Sequence, residues 1–87
     1  AYYNRARITL SRKDIDNPKI EKAVEDLEKA LELDENFVDA LYAMAAAKKK
    51  LGDYHASLVY LERLLKIQPD SVWAKALKKL ILQKYIV

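Results

Sequence analysis

The chain repeats itself at the length of a helical hairpin, and this limits its fold more than any other feature. Residues 23–35 (AVEDLEKALELDE) align with residues 57–69 (SLVYLERLLKIQP) at an offset of 34. Val24 falls on Leu58, Leu27 on Leu61, Glu28 on Glu62, Lys29 on Arg63, Leu31 on Leu65 and Leu33 on Ile67. Upstream, residues 1–6 (AYYNRA) align with 40–45 (ALYAMA) at an offset of 39, so the first unit holds five extra residues near Arg12–Pro18.

Each unit reads as two helices. The first is expected over about Ala1–Lys13. In the second, Ile20, Ala23, Val24, Leu27, Ala30 and Leu31 recur at spacings of three and four, which places them on one face. Asn17 is its expected N-cap, with Pro18 at the first helical position. A third helix starts near Asn36, the expected cap, and runs into Lys48-Lys49-Lys50-Leu51-Gly52. Three cations there oppose the negative helix end, and the glycine is free to turn left-handed. Asp53 caps a fourth helix that Pro69 stops. A fifth runs from about Ser71 nearly to the C-terminus.

Composition agrees. One Gly and two Pro in 87 residues leave little for tight-turned sheet, and 52% hydrophobic residues allow a packed core. No Cys is present, which excludes disulfide and thiol chemistry. Charge-free runs such as Ala40–Ala47 are far short of a membrane span, and no secretory signal is visible, so a cytoplasmic location is expected. The net charge is only +3, but it is unevenly spread. From Asp14 to Asp39 there are ten acids and three bases; the rest holds thirteen bases and three acids. Such a field steers partners or pairs neighbouring units head to tail. Nucleic acid is not an expected partner, because the bases lack interleaved stacking aromatics.

A hairpin with one apolar face must stack on another, and small residues at the crossing let the backbones approach. Ala6, Ala23, Ala45 and Ser57 occupy matching points. With Leu41 and Met44, the Gly52-Asp53-Tyr54 turn, and Leu61, Leu64 and Pro69, the second unit resembles the tetratricopeptide repeat. The first unit matches through Tyr2, Ala6, Ala23, Leu27 and Ala30. Lys48 and Glu35 depart from the family pattern, where a large apolar residue and Pro are usual. The resemblance implies an all-α fold of five helices, with antiparallel hairpins stacked as a short right-handed superhelix. It also implies a division into a first repeat (1–36), a second repeat (37–70) and a capping helix or the start of a third repeat (71–87). Because the chain starts inside a helix without Met and the array is short, a piece of a longer protein is expected.

No catalytic constellation is legible, no cofactor is implied, and the chain is not expected to be an enzyme. His55 lies two residues before Ser57, but nothing Gly-rich is present to build an oxyanion hole. Asp14, Asp16 and Glu25 have partial calcium-loop spacing; Lys19 occupies the glycine position and Pro18 has no side-chain oxygen. Glu21, Glu25, Glu28 and Glu32 read as a solvated helix face.

What the resemblance does imply is a non-catalytic scaffold that binds a peptide or a partner's helix in a concave groove. Its first helices would supply Tyr3, Asn4, Arg7 and Leu10, then Asp39, Tyr42, Ala46 and Lys49. Asn4 would contact a ligand backbone, since an amide both donates and accepts. A clamp for a C-terminal carboxylate is not expected, because Asp39 and Ala43 stand where a cation and an Asn are needed. On the fifth helix, Val72, Ala74, Ile81, Leu82 and Tyr85 are expected to pack inward. Trp73, Leu77 and Leu80 form a second stripe, expected as a contact surface for a further repeat, a second copy or a partner. Two other readings stand beside the scaffold: a membrane-surface adaptor using the basic amphipathic tail from Lys75, and an accessory region of a larger enzyme.

Overall fold

A computed structural model describes residues 2–10 and 16–84. Every regular element among them is an α-helix: α1 (Tyr2–Leu10), α2 (Asn17–Leu33), α3 (Val38–Lys50), α4 (Tyr54–Ile67) and α5 (Val72–Lys84). The expected extension of α1 to Lys13 lies outside the described residues, as does Asp14 of the calcium-loop spacing. Each helix packs on the next in sequence, and α1 also touches α3. The result is two antiparallel hairpins, α1–α2 and α3–α4, with α5 laid against the second, within 30 × 27 × 17 Å.

The connections explain where the helices begin and end. Asp16, not Asn17, caps α2: it is extended, and its carboxylate accepts the Lys19 N–H at 3.1 Å. Asn17 is already helical, and Pro18 follows in the first turn, where its missing N–H is harmless. Asn36 does not cap α3 either. It donates its backbone N–H to the Asp34 carboxylate at 3.1 Å, so Asp34 organises the turn. Phe37 takes the cap position without a side-chain bond and packs on the core instead. The end of α3 follows the expectation. Gly52 has φ of 84° and donates to the Lys49 carbonyl at 3.0 Å, while Asp53 donates to the Lys48 carbonyl at 2.9 Å. Both bonds satisfy carbonyls that the helix cannot. Asp53 then caps α4 through Ala56 N–H, and the Ser71 hydroxyl accepts from Ala74 N–H ahead of α5.

The core follows the repeat. The α2 stripe of Ile20, Ala23, Val24, Leu27, Ala30 and Leu31 is buried throughout. Leu27, Leu41, Met44 and Leu61 are wholly enclosed, each worth about 1.5–3 kcal/mol of burial. Ala6, Ala23, Ala45 and Ser57 are all buried where helices cross. Ser57 spends its hydroxyl there, donating to the Ala45 carbonyl at 2.7 Å.

One buried charge was not apparent in the sequence. Asp26 is 1% exposed on α2 and accepts from Arg5 Nε at 2.8 Å and Nη2 at 2.5 Å. The Arg5 hydrogen bonds hold the Asp26 carboxyl below its ordinary value of 3.8; burial opposes this, and the charges of Arg5, Lys22 and Lys29 add to the lowering. This pair pins α1 to α2.

The repeat extends into α5. Val38 and Val72 open helices of equal length, again 34 residues apart, and Ala40 with Ala47 and Ala74 with Ile81 are fully buried at equivalent places. The faces that α3 turns toward α4 and α5 turns outward then differ. Leu41, Met44 and Ala45 are fully buried in α3. Their equivalents are Lys75, Lys78 and Lys79, two of them exposed and Lys78 half-buried. Contrary to expectation, Val72 is 73% and Leu82 43% exposed: Val72 opens the helix, and Leu82 borders an open trough beside Leu65 of α4. Tyr85 lies outside the described residues.

Candidate functional site: a concave hollow between α1, α3 and α5

Because the chain reverses at each connection, α1, α3 and α5 share one side of the molecule. A hollow of about 420 Å³ opens there. Tyr3 and Arg7, one turn apart, reach it from α1. The α3 helix supplies its floor and both ends through Asp39, Ala43, Ala46 and Lys50, spaced four, three and four residues apart on one face. Val38 and Tyr42 flank that row, Leu64 of α4 shows between the helices, and Trp73 closes the far side.

Aromatic side chains form the walls. Tyr3 packs on Phe37 with ring centroids 4.9 Å apart, which fixes α1 against the start of α3. Trp73 is 75% exposed, held at the rim by the first turn of α5. Two other depressions are less aromatic. On the α2–α4 side, Glu28, Glu32 and Glu35 surround Leu31 and Tyr60, with the Arg63 guanidinium 5.5 Å from the Tyr60 ring. Between α4 and α5, a trough of about 510 Å³ has Leu65 and Leu82 among Lys75, Lys78 and Lys79.

A family model described as the Fis1 C-terminal tetratricopeptide repeat matches residues 38–86, more than half of the chain. The chain belongs to the tetratricopeptide-repeat family. A second model, described as a TPR repeat, matches residues 15–52 and so bridges the two hairpins. No curated protein and no solved structure matches the chain. Members of this repeat family generally mediate protein–protein interaction, and the family is typically non-catalytic.

Against this repeat frame, the sequence-named residues divide. Tyr3, Arg7, Asp39, Tyr42, Ala46 and Trp73 line the hollow. Asn4 is exposed outside it, about 100° around α1 from Tyr3. Lys49 misses the hollow for the same reason, and Lys50, one turn beyond Ala46, takes its place. The side chain of Leu10 lies outside the described residues. The expected α5 stripe splits. Trp73 faces the hollow, Leu77 packs against the core, and Leu80 is half-buried without lining it. Val38, Ala43, Lys50 and Leu64 were not in the expected set. The spacing Asp39–Ala43–Ala46–Lys50 would have located two of them; no local signal marks Leu64, a buried core residue whose edge borders the hollow.

Of the two candidates for nucleophilic chemistry, Ser57 has a structural task. His55 is exposed in the first turn of α4, and Ser57 is buried and bonded to Ala45. Among the described residues, no group of three or more His, Cys, Asp or Glu is placed to hold a metal ion. No helix among them is long and apolar enough to cross a membrane.

Proposed function

We propose that this chain is a non-catalytic interaction scaffold that binds a peptide or a partner's helix in the hollow between α1, α3 and α5. The observation that carries this reading is the convergence of Tyr3, Tyr42 and Trp73 on one concavity whose floor is Ala43 and Ala46. Large, rigid aromatic rings beside small floor residues give a partner area to bury without ordering many flexible side chains. Trp73 supports the reading most directly, because it leaves most of its surface in water although the core lies close by. On this reading, the two repeats comprise residues 1–36 and 37–70, and residues 71–87 are a capping helix or the start of a third repeat.

Site-specific photo-crosslinking tests it. A crosslinker placed at Tyr42 or Trp73 should trap a partner that Tyr3→Ala releases, while one at Glu28 on the opposite side should not. Equal trapping from Glu28 would refute the groove. Light scattering alongside would register pairing of two copies through α5, the other protein partner expected from the sequence. The trough of Leu65 and Leu82 among three lysines favours a second reading, adsorption of α5 to an anionic membrane surface. Salt-sensitive co-sedimentation with phosphatidylserine vesicles, lost in Lys75→Glu/Lys79→Glu, would support that alternative.

A further inference from the structure

The charges around the hollow are ordered, and that order restricts what can lie in it. Asp39 stands at the N-terminal end of α3, beside Val38 and Trp73. Lys50 stands at the other end, and Arg7 of α1 also lines the hollow; all three are exposed. Between Asp39 and Lys50 the α3 face offers only Tyr42, Ala43 and Ala46. The two charges are eleven residues apart on one helix, about 16 Å along its axis. Neighbouring charges reinforce the gradient. Asp34 and Glu35 precede α3, whereas Lys48 and Lys49 accompany Lys50 at its end. These residues also suit the α3 macrodipole, but that effect does not require Asp39 and Lys50 to share the face of the hollow.

The walls discriminate between an extended segment and a helix. They are built from helices whose backbone N–H and C=O groups are already bonded to each other. The lining supplies tyrosine hydroxyls, an indole N–H and charged tips at its ends, with alanine between. An extended peptide would lay its backbone polar groups on that alanine floor without partners. A helix satisfies its own backbone and needs only close approach, which Ala43 and Ala46 allow.

Resting on the groove reading above, we infer that the occupant is a partner's amphipathic helix lying antiparallel to α3, with a carboxylate in its first turn over Lys50, a bulky apolar anchor against Tyr3, Tyr42 and Trp73, and a cation about three turns later over Asp39. The orientation is consistent with elementary electrostatics. An acid in the first turn and a base in the last also suit the partner helix's own dipole, and antiparallel helices align opposite dipole ends. Rim charges of this kind set register and direction more than affinity.

A phage-displayed library of one amphipathic helix, randomised on a single face, tests this against the whole chain. Binders that depend on the hollow are those lost with Tyr42→Ala. Among them, acids should be enriched toward the N-terminal end of the randomised face and bases toward the C-terminal end. Their affinity should fall about tenfold or more with Lys50→Glu. It should also weaken when sodium chloride rises from about 0.05 to about 0.5 M. Selection against Asp39→Lys/Lys50→Glu should return the opposite charge order. These side chains are exposed, so circular dichroism should show unchanged folding. Hollow-dependent binders with random charge order, or with affinities indifferent to charge reversal, overturn this inference and leave the groove reading intact. Failure to select any hollow-dependent binder overturns both.

Discussion

The Arg5–Asp26 pair offers the sharpest test of how α1 is held. Removing Arg5 deletes two charge-assisted hydrogen bonds and strands a carboxylate that is 1% exposed. Breaking a fully buried pair this way costs about 3–5 kcal/mol. Here the Arg5 side chain is itself 58% exposed, so water can replace the guanidinium from the open side. With that discount, Arg5→Ala should lose about 2–3 kcal/mol, near the worth of one bond to a charged group. A domain of this size holds about 4–13 kcal/mol in total, so the loss is a large share. It corresponds to a fall in Tm of roughly 10–20 °C.

The pH dependence identifies the cause. Asp26 has a folded pKa below 3.8, held there first by the Arg5 hydrogen bonds. Its contribution is therefore fully present above the unfolded value and is lost as pH falls through the depressed one. Urea unfolding followed by circular dichroism from pH 7 to pH 3 should show the gap between wild type and Arg5→Ala narrowing only in the acid limb. Asp26→Asn should remove this component from the profile. Replacing both partners with Met and Leu should be nearly neutral, since a well-packed apolar pair avoids desolvating a charge. A gap under about 0.5 kcal/mol at pH 7, or one unchanged at pH 3, would refute the account.

Other expectations follow from the turns and from α5. Gly52→Ala should cost about 1–2 kcal/mol by calorimetry, because φ is 84° while no atom lies within 4 Å of an added Cβ; Gly52→Asn should cost less. Equal losses for Ala and Asn would place the strain elsewhere. Trp73→Ala should leave Tm nearly unchanged, whereas Leu77→Ala, which packs on the core, should lower stability by about 1–3 kcal/mol in urea. Equal effects would mean that the two side chains share one environment. Lys75→Leu/Lys78→Met/Lys79→Ala, which copies α3 onto the outer face of α5, should make the folded protein self-associate in sedimentation velocity. A variant no more associated than wild type would show that these lysines do not keep that face from pairing.

Much of this architecture was legible in the sequence because repeats constrain twice. Leu27 and Leu61 are buried by the same packing, so each supports the assignment of the other. The Gly52 turn was readable because few residues accept that backbone. The caps were less so. Asp16, Asn17 and Asn36 are all good cap residues, and choosing among them depends on which oxygen reaches which N–H, a difference of one residue. Asp26 was hidden for another reason. It sits among acids that face water, and only Arg5, on a separate helix, distinguishes it. In the hollow, an error of one residue meant about 100° of rotation, enough to exchange Lys49 for Lys50 and to turn Asn4 away.

Most of the difficulty at the site traces to α3. A helix with one apolar stripe declares its buried side, as α2 does. By contrast, α3 meets α2, α4 and α1 and also floors the hollow, so it is apolar nearly all round and periodicity cannot assign its faces. Its alanines serve both purposes: Ala40, Ala45 and Ala47 let neighbouring helices approach, while Ala43 and Ala46 keep the floor of the hollow open. The same backbone positions in α5 carry other side chains, with Lys79 for Ala45, Leu77 for Ala43 and Leu80 for Ala46. Fold and site therefore separate at the level of side-chain size. The 34-residue spacing sets where each helix lies, and the exchange of alanine for leucine or lysine on a given face decides whether that face becomes core, groove or solvent. Enlarging Ala46 should block the hollow while sparing the crossing, whereas enlarging Ala45 should do the reverse.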